Sequence, residues 1–274
     1  MHAYALIDAA AVPGIAAHLA EHAAGLPQRS LFAQQPEAAL AHCGPWLLQL
    51  PDRHAPALEA WLAAIEHAHA AVAWLDSEDA FESIHAHLQR CLDVRLADGA
   101  LALLRYWDPR VFRRLCALFD PAQRAWLLGP VLRWRAKLGV QRVDILRDDA
   151  VAPPADAAPV QLDARQQALL RLPEPGAFAP RLAADIRRDL PAQVGDLHEA
   201  QLIEETERSY RHASEQLRIA RLSPLVRWVK FDVASRGALR RDLSVGLRFR
   251  RADDPALLAE DLLSALAARP RWGQ

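Results

Sequence analysis

The chain has 274 residues, of which 52% are apolar and 24% charged, and its net charge is −1. This excludes a wholly disordered protein and leaves room for one large or two small domains with filled cores. It also removes any global electrostatic case for nucleic acid or membrane partners. No apolar, charge-free run approaches the roughly 18 residues of a bilayer span. The start, Met1 to Asp8, has no basic segment and reaches an acid early, so a secretory signal is not expected. Cys43, Cys91 and Cys116 are far apart and form no CxxC pair, which fits a reducing cytoplasm. Lys137 and Lys230 are the only lysines; arginine replaces the rest, as in GC-rich bacterial genomes.

Tyr4-Ala5-Leu6-Ile7-Asp8 reads as a short buried strand, followed by helical spacing of Val12, Ile15, Ala16, Leu19 and Ala23. Pro45 to Pro51 is a second strand bounded by prolines. Leu58, Trp61, Leu62 and Ile65 mark one face of a helix, and Ala71 to Leu75 a third strand. Ser77 is placed to cap a helix carrying Phe81, Ile84, Leu88 and Leu92. After the turn at Asp98-Gly99, Leu101 to Trp107 reads as a fourth strand, with Arg105 and Trp107 on one face and Tyr106 on the other. Asp-Pro pairs at Asp108-Pro109, Asp120-Pro121 and Asp254-Pro255 read as capped helix starts. Val140 to Leu146 reads as a charged edge strand.

Residues 148–161, rich in proline, alanine and aspartate, read as a linker. Beyond it the pattern is helical. One helix spans Leu162 to Leu172, stopped by Pro173 to Gly176. Another carries Phe178, Leu182, Ile186 and Leu190, a third runs from His198 to Leu222 until Ser223-Pro224 breaks it, and the last runs from Pro255 to about Ala268. The expected architecture is an α/β N-terminal lobe over residues 1–147, a sheet of about four or five strands covered by helices. An all-α C-terminal lobe over 162–274 follows it.

Candidate chemistry is sparse. His18 and His22 share a helix face, and His85, His87 and Cys91 are soft ligands in one stretch. Positions 85 and 87 point about 200° apart in a helix, however, and no zinc spacing or HExxH occurs. No GxSxG, GxGxxG or GxxxxGK[ST] is present, so no catalytic residue, metal or cofactor is expected. The C-terminal cluster Arg236, Arg240, Arg241, Arg248, Arg250 and Arg251 lacks interleaved aromatics, and nucleic acid is not expected as a partner. Between 105 and 147, Arg105, Arg110, Arg113, Arg114, Arg124, Arg133, Arg135, Lys137, Arg142 and Arg147 face only Asp108, Asp120 and Asp144. This belt is a solvated surface or a docking face for an acidic partner. The strongest local signal is Arg105-Tyr106-Trp107-Asp108-Pro109-Arg110, which reads either as a functional ion-pair and stacking unit at a helix start or as no more than a cap that pins the strand-to-helix corner.

The order of Tyr4 to Asp8, Gly44-Pro45-Trp46-Leu47, Trp74-Leu75, Leu104 to Arg110, and Leu128-Gly129-Pro130-Val131 with Trp134 resembles the type VI secretion effector-adaptor, or effector-chaperone, family over residues 3–135. The pair Tyr106-Trp107 is bulkier than the family's usual form. The resemblance implies a non-enzymatic protein of the bacterial cytoplasm that binds a toxic effector and helps mount it on the spike protein of the apparatus. On that reading Arg105, Tyr106, Trp107, Asp108, Arg110, Arg113, Arg114, Arg133, Trp134 and Arg135 are the expected partner-binding residues. The tryptophans would be apolar anchors and the arginines would receive acids. The alternative is a small-molecule enzyme using Arg105, Asp108 and Arg110 on an anionic substrate.

Overall fold

The computed structural model describes residues 1–34, 36–51, 55–139, 141–152 and 159–267. The chain divides into two compact units, Met1–Leu162 and Asp163–Gln274.

In the first unit, β1 (His2–Asp8) is a continuous apolar run because both its faces are covered; Tyr4, Ala5, Leu6 and Ile7 are fully buried. It pairs antiparallel with β3 (Pro45–Gln49) on one side and β4 (Val72–Ser77) on the other. With β2 (Gln28–Ser30), β7 (Val131–Leu138) and β8 (Gln141–Leu146), they form a six-stranded antiparallel sheet in the order β2-β3-β1-β4-β7-β8.

Register decides which residues share a face. One cross-sheet row reads Leu48, Ala5, Trp74, Arg135 and Asp144. Helices α1 (Ile15–His22) and α2 (Pro56–His69) pack Ile15, Leu19, Leu58, Leu62 and Ile65 onto its apolar end with Ile7 and Val72. The opposite face presents Tyr4, Leu75 and Trp134 in one row. Helix α4 (Pro109–Leu118) covers it there: the Phe112 ring stacks on Trp134 at 4.2 Å, and Tyr106 meets Trp134 edge-on at 6.0 Å. Helices α3 (Phe81–Arg90) and α5 (Pro121–Leu128) complete the unit.

Several expectations need correction. The sheet has more strands than the four or five expected, because β2 and β7 were not anticipated. The strand expected over Leu101 to Trp107 stops at Leu103: β6 (Leu101–Leu103) pairs with β5 (Asp93–Arg95) in a separate two-stranded sheet, outside the main one. Leu104 to Trp107 instead turn inward, with Tyr106 N–H on Leu104 O and Tyr106 Oη donating to Leu88 O at 2.6 Å. Arg105, Tyr106 and Trp107 therefore do not alternate across a strand. Ser77 does not cap α3. It donates to Pro130 O at 2.7 Å and accepts from Asp79 N–H, while Ala80 occupies the cap position. The expected strand at 140–146 is the edge strand β8, with Val140 outside the described residues.

Within the expected linker, residues 153–158 lie outside the described residues. Its end is held by the first unit: Arg95 N–H bonds Val160 O at 2.9 Å and Leu162 N–H bonds Arg95 O at 2.8 Å.

The second unit is helical: α6 (Ala164–Leu170), α7 (Pro175–Asp189), α8 (Pro191–Val194), α9 (Glu199–Arg211), α10 (Leu222–Ala234), α11 (Ala238–Arg241), α12 (Leu243–Arg250) and α13 (Pro255–Ala267). Its core holds Ile186, Leu202, Tyr210, Trp228 and Val229. The long helix expected from His198 to Leu222 ends earlier. It passes into a π turn at His212–Gln216 and stops at Arg218, whose φ is +56°. Ser223-Pro224 then open α10 rather than break a helix, since proline costs little in a first turn. Pro175 likewise starts α7, capped by Glu174. Among the described residues no helix is long and apolar enough to cross a membrane.

Candidate functional site

The Asp-Pro devices work as the sequence predicts. Asp108 accepts Arg110 N–H at 3.0 Å as the α4 cap. Asp120 closes a capping box with Gln123, and Asp254 accepts Ala256 and Leu257 N–H.

At the first of these helix starts the chain gathers two acids and two arginines. Arg110 forks onto Asp108 through Nε at 2.9 Å and Nη2 at 2.7 Å, and Arg105 Nη2 reaches Asp8 Oδ2 at 3.1 Å and Asp108 Oδ2 at 3.5 Å. The carboxylates are almost buried, at 6% side-chain exposure each, while the guanidiniums are half in water. Burial pushes the Asp108 carboxyl up, but the Arg110 side chain and amide outweigh it and hold Asp108 below the usual carboxylate range. The charges are spent on one another, so the corner pins β1 to the start of α4. Asp108→Ala is expected to lower the stability of this unit by about 1–2 kcal/mol through loss of the cap, read as a shifted urea midpoint.

The aromatic members of the expected binding set belong to the core. Tyr106 and Trp134 are fully buried, and Trp107 is nearly so, edge-on to Phe32 at 5.6 Å. None presents a face to a partner, which corrects the expectation that the tryptophans are contact anchors. The arginines do not form one surface either. Arg113 and Arg114 lie on α4, on the Trp134 side of the sheet; Arg133 and Arg135 project from the other side with Trp74.

On that other side α1 and α2 cover β3, β1 and part of β4, leaving the β7–β8 end open. The result is a groove of about 690 Å³ whose lining includes Trp74, Glu66, Arg133, Arg135, Lys137 and Arg142. Its cations are ordered by acids distant in sequence. Arg135 Nη2 bonds both Asp76 oxygens at 3.0 Å, Arg133 forks onto Asp144, and Lys137 Nζ meets Glu66 at 2.8 Å. Glu66 also accepts Trp74 Nε1–H at 2.9 Å. The belt that looks unbalanced along the chain is thus largely matched in space. Lys137 and Trp74 are visible in the sequence as a belt cation and a motif tryptophan, but Glu66, brought to them by α2, has no local sequence signal.

The histidines divide by burial. His85 Nε2 lies 3.2 Å from Ser30 O, and His87 Nε2 lies 3.1 Å from Leu127 O with Cys91 Sγ at 3.5 Å. Burial lowers the pKa of both imidazoles and raises that of the Cys91 thiol, so these groups are neutral packing elements. The unfolded chain protonates its histidines below about pH 6.5, where the folded one resists. The stability these residues contribute is therefore complete above about pH 6.5 and lost as pH falls below it. Urea midpoints are expected to drop between pH 7 and pH 5, with a smaller drop in His87→Gln. His18, Glu21 and His22 have ligand atoms within 4.8 Å of one another, with His22 against Trp61.

In the second unit the arginine cluster is partly internal: Arg240 bonds the fully buried Asp232 at 3.0 Å and also Glu205, and Arg236 pairs with Asp196.

No curated protein and no solved structure matches the chain. One family model does, from β1 into the first turns of α5, stopping short of β7, β8 and the helical unit. Residues 3–125 are similar to the family described as "Domain of unknown function (DUF4123)".

Proposed function

We propose that this protein is a non-enzymatic adaptor of the bacterial cytoplasm that binds a toxic effector of a type VI secretion apparatus and helps load it onto the spike protein. One observation carries the reading. The motifs by which the chain resembles that family, far apart in sequence, meet in one framework: Asp8 with Arg105, Trp134 with Tyr106, and Leu75 opposite Trp134 across β4 and β7. The helical unit, reached through residues 148–161, serves on this reading as the lobe that varies with the client.

The client contact is assigned to the open groove. Arginine suits bidentate carboxylate contacts, and Trp74 supplies an apolar floor beside Arg133 and Arg135. The rival reading, an enzyme acting on an anion at Arg105, Asp108 and Arg110, is disfavoured because these charges already satisfy one another. Arg133→Gln combined with Arg135→Gln, which removes the cations without setting acids against Asp76 and Asp144, is expected to weaken effector binding about tenfold, chiefly through slower association, and to lower the melting temperature only slightly. Wild-type binding by that variant, or affinity independent of salt, would remove the groove from the contact.

A further inference from the structure

The main sheet has two edges. β2 is only three residues long, and its Arg29 is forked onto Glu82. β8 has six residues, and among the described residues no strand lies beyond it. Its backbone orientation follows from register. Arg147 N–H bonds Leu132 O at 2.9 Å, which makes Trp134–Ile145 and Ala136–Val143 the bonded pairs of the β7–β8 ladder. Alternate residues of an antiparallel strand bond to opposite sides. The N–H and C=O groups of Arg142, Asp144 and Leu146 therefore face outward, and all three residues are exposed, Leu146 at 69%.

An edge of this kind recruits other strands unless its charges oppose them. The charges on β8 select one partner strand. If a second copy runs antiparallel about a two-fold axis through Val143, Arg142 lies opposite the second copy's Asp144, and Asp144 opposite the second copy's Arg142. A slip by two residues in the paired sum sets Asp144 on Asp144 or Arg142 on Arg142. A slip by one sets outward-facing backbone against inward-facing backbone. One register alone satisfies both the ladder and the charges. Like charges directly opposite one another are unfavourable in such pairs, and opposite charges favourable.

We propose that β8 joins two copies of this chain in that register, as an isologous dimer with one sheet continuous across it. Asp144 then lies between Arg133 of its own β7 and the second copy's Arg142, and every outward β8 group near the axis gains a partner. This inference stands apart from the adaptor reading and needs no client.

The test is a sedimentation series on the full chain at low salt. The wild type is expected to rise from the monomer mass of 30.4 kDa toward twice that value with concentration. Arg142→Asp and Asp144→Arg each create like-charge pairs at both symmetric positions, so each variant alone should associate about tenfold more weakly or worse. The combined variant should recover association. An equimolar mixture of the two single variants should form a mixed dimer, because each supplies the charges the other lacks. In the wild type, amide exchange at Arg142, Asp144 and Leu146 should slow as concentration rises. A wild-type chain that stays monomeric throughout, or single reversals that dimerise as well as the wild type, would overturn the proposal. So would a mixture that gains nothing over its components.

Discussion

Gly129→Ala is expected to come close to unfolding the N-terminal unit. Gly129 follows α5 with φ +50° and ψ −117°, a conformation L side chains rarely adopt. A Cβ built there would stand 2.2 Å from His87 Cε1 and 2.5 Å from Nε2. Backbone strain and overpacking each cost about 1–3 kcal/mol, so a combined loss of roughly 3 kcal/mol or more is expected. The imidazole cannot step aside without losing its contact with Leu127 O. Calorimetry on a double-mutant cycle separates the two causes. His87→Ala in the Gly129→Ala background should recover the steric part and leave the backbone part. A Gly129→Ala protein as stable as wild type would refute this packing.

Trp134→Ala is the second large effect. Trp134 is fully buried, stacked on Phe112 and edge-on to Tyr106, and sits on β7 opposite Leu75. Its removal leaves a cavity under α4 and is expected to cost about 3–5 kcal/mol. Among the described residues the indole N–H has no hydrogen-bond acceptor, so Trp134→Phe should cost much less: it keeps the ring stack and removes an unsatisfied donor. Loss of binding with unchanged urea stability in Trp134→Ala would return this residue to the contact surface.

The parts of the fold legible in the sequence are those with local causes. Buried β1, the proline-bounded β3, β4, the Asp-Pro caps and the helical second unit all follow from runs, spacings and cap chemistry. β7 carries the period-two alternation of a half-buried strand, Arg133, Arg135 and Lys137 against Trp134, Ala136 and Leu138, but its cations make it read as part of a basic belt because their partners Asp144, Asp76 and Glu66 come from other elements. The Leu101 to Trp107 run reads as one strand but is two segments: Leu101 to Leu103 form the short, exposed β6, while the apolarity of Leu104, Tyr106 and Trp107 reflects burial in a turn anchored by Tyr106 on Leu88 O. For the site, Arg133 and Arg135 were legible as cations. That Trp107 and Trp134 were core, and that Arg113 and Arg114 lay across the sheet from Arg133 and Arg135, depended on register. Two motif glycines acquire their reasons only in three dimensions. Gly129 makes room for His87, and Gly44 for Phe32, whose ring a Cβ at 44 would meet at 2.3 Å.

The most direct test of the proposed adaptor function is co-expression of the full chain with a toxin and a spike protein from its own genome, followed by purification on a tag carried by this chain. The account predicts that toxin and spike protein elute together with it in one complex, and that the spike protein's recovery of toxin falls sharply when this chain is left out. Elution of this chain alone, with toxin and spike protein associating equally well in its absence, would contradict it.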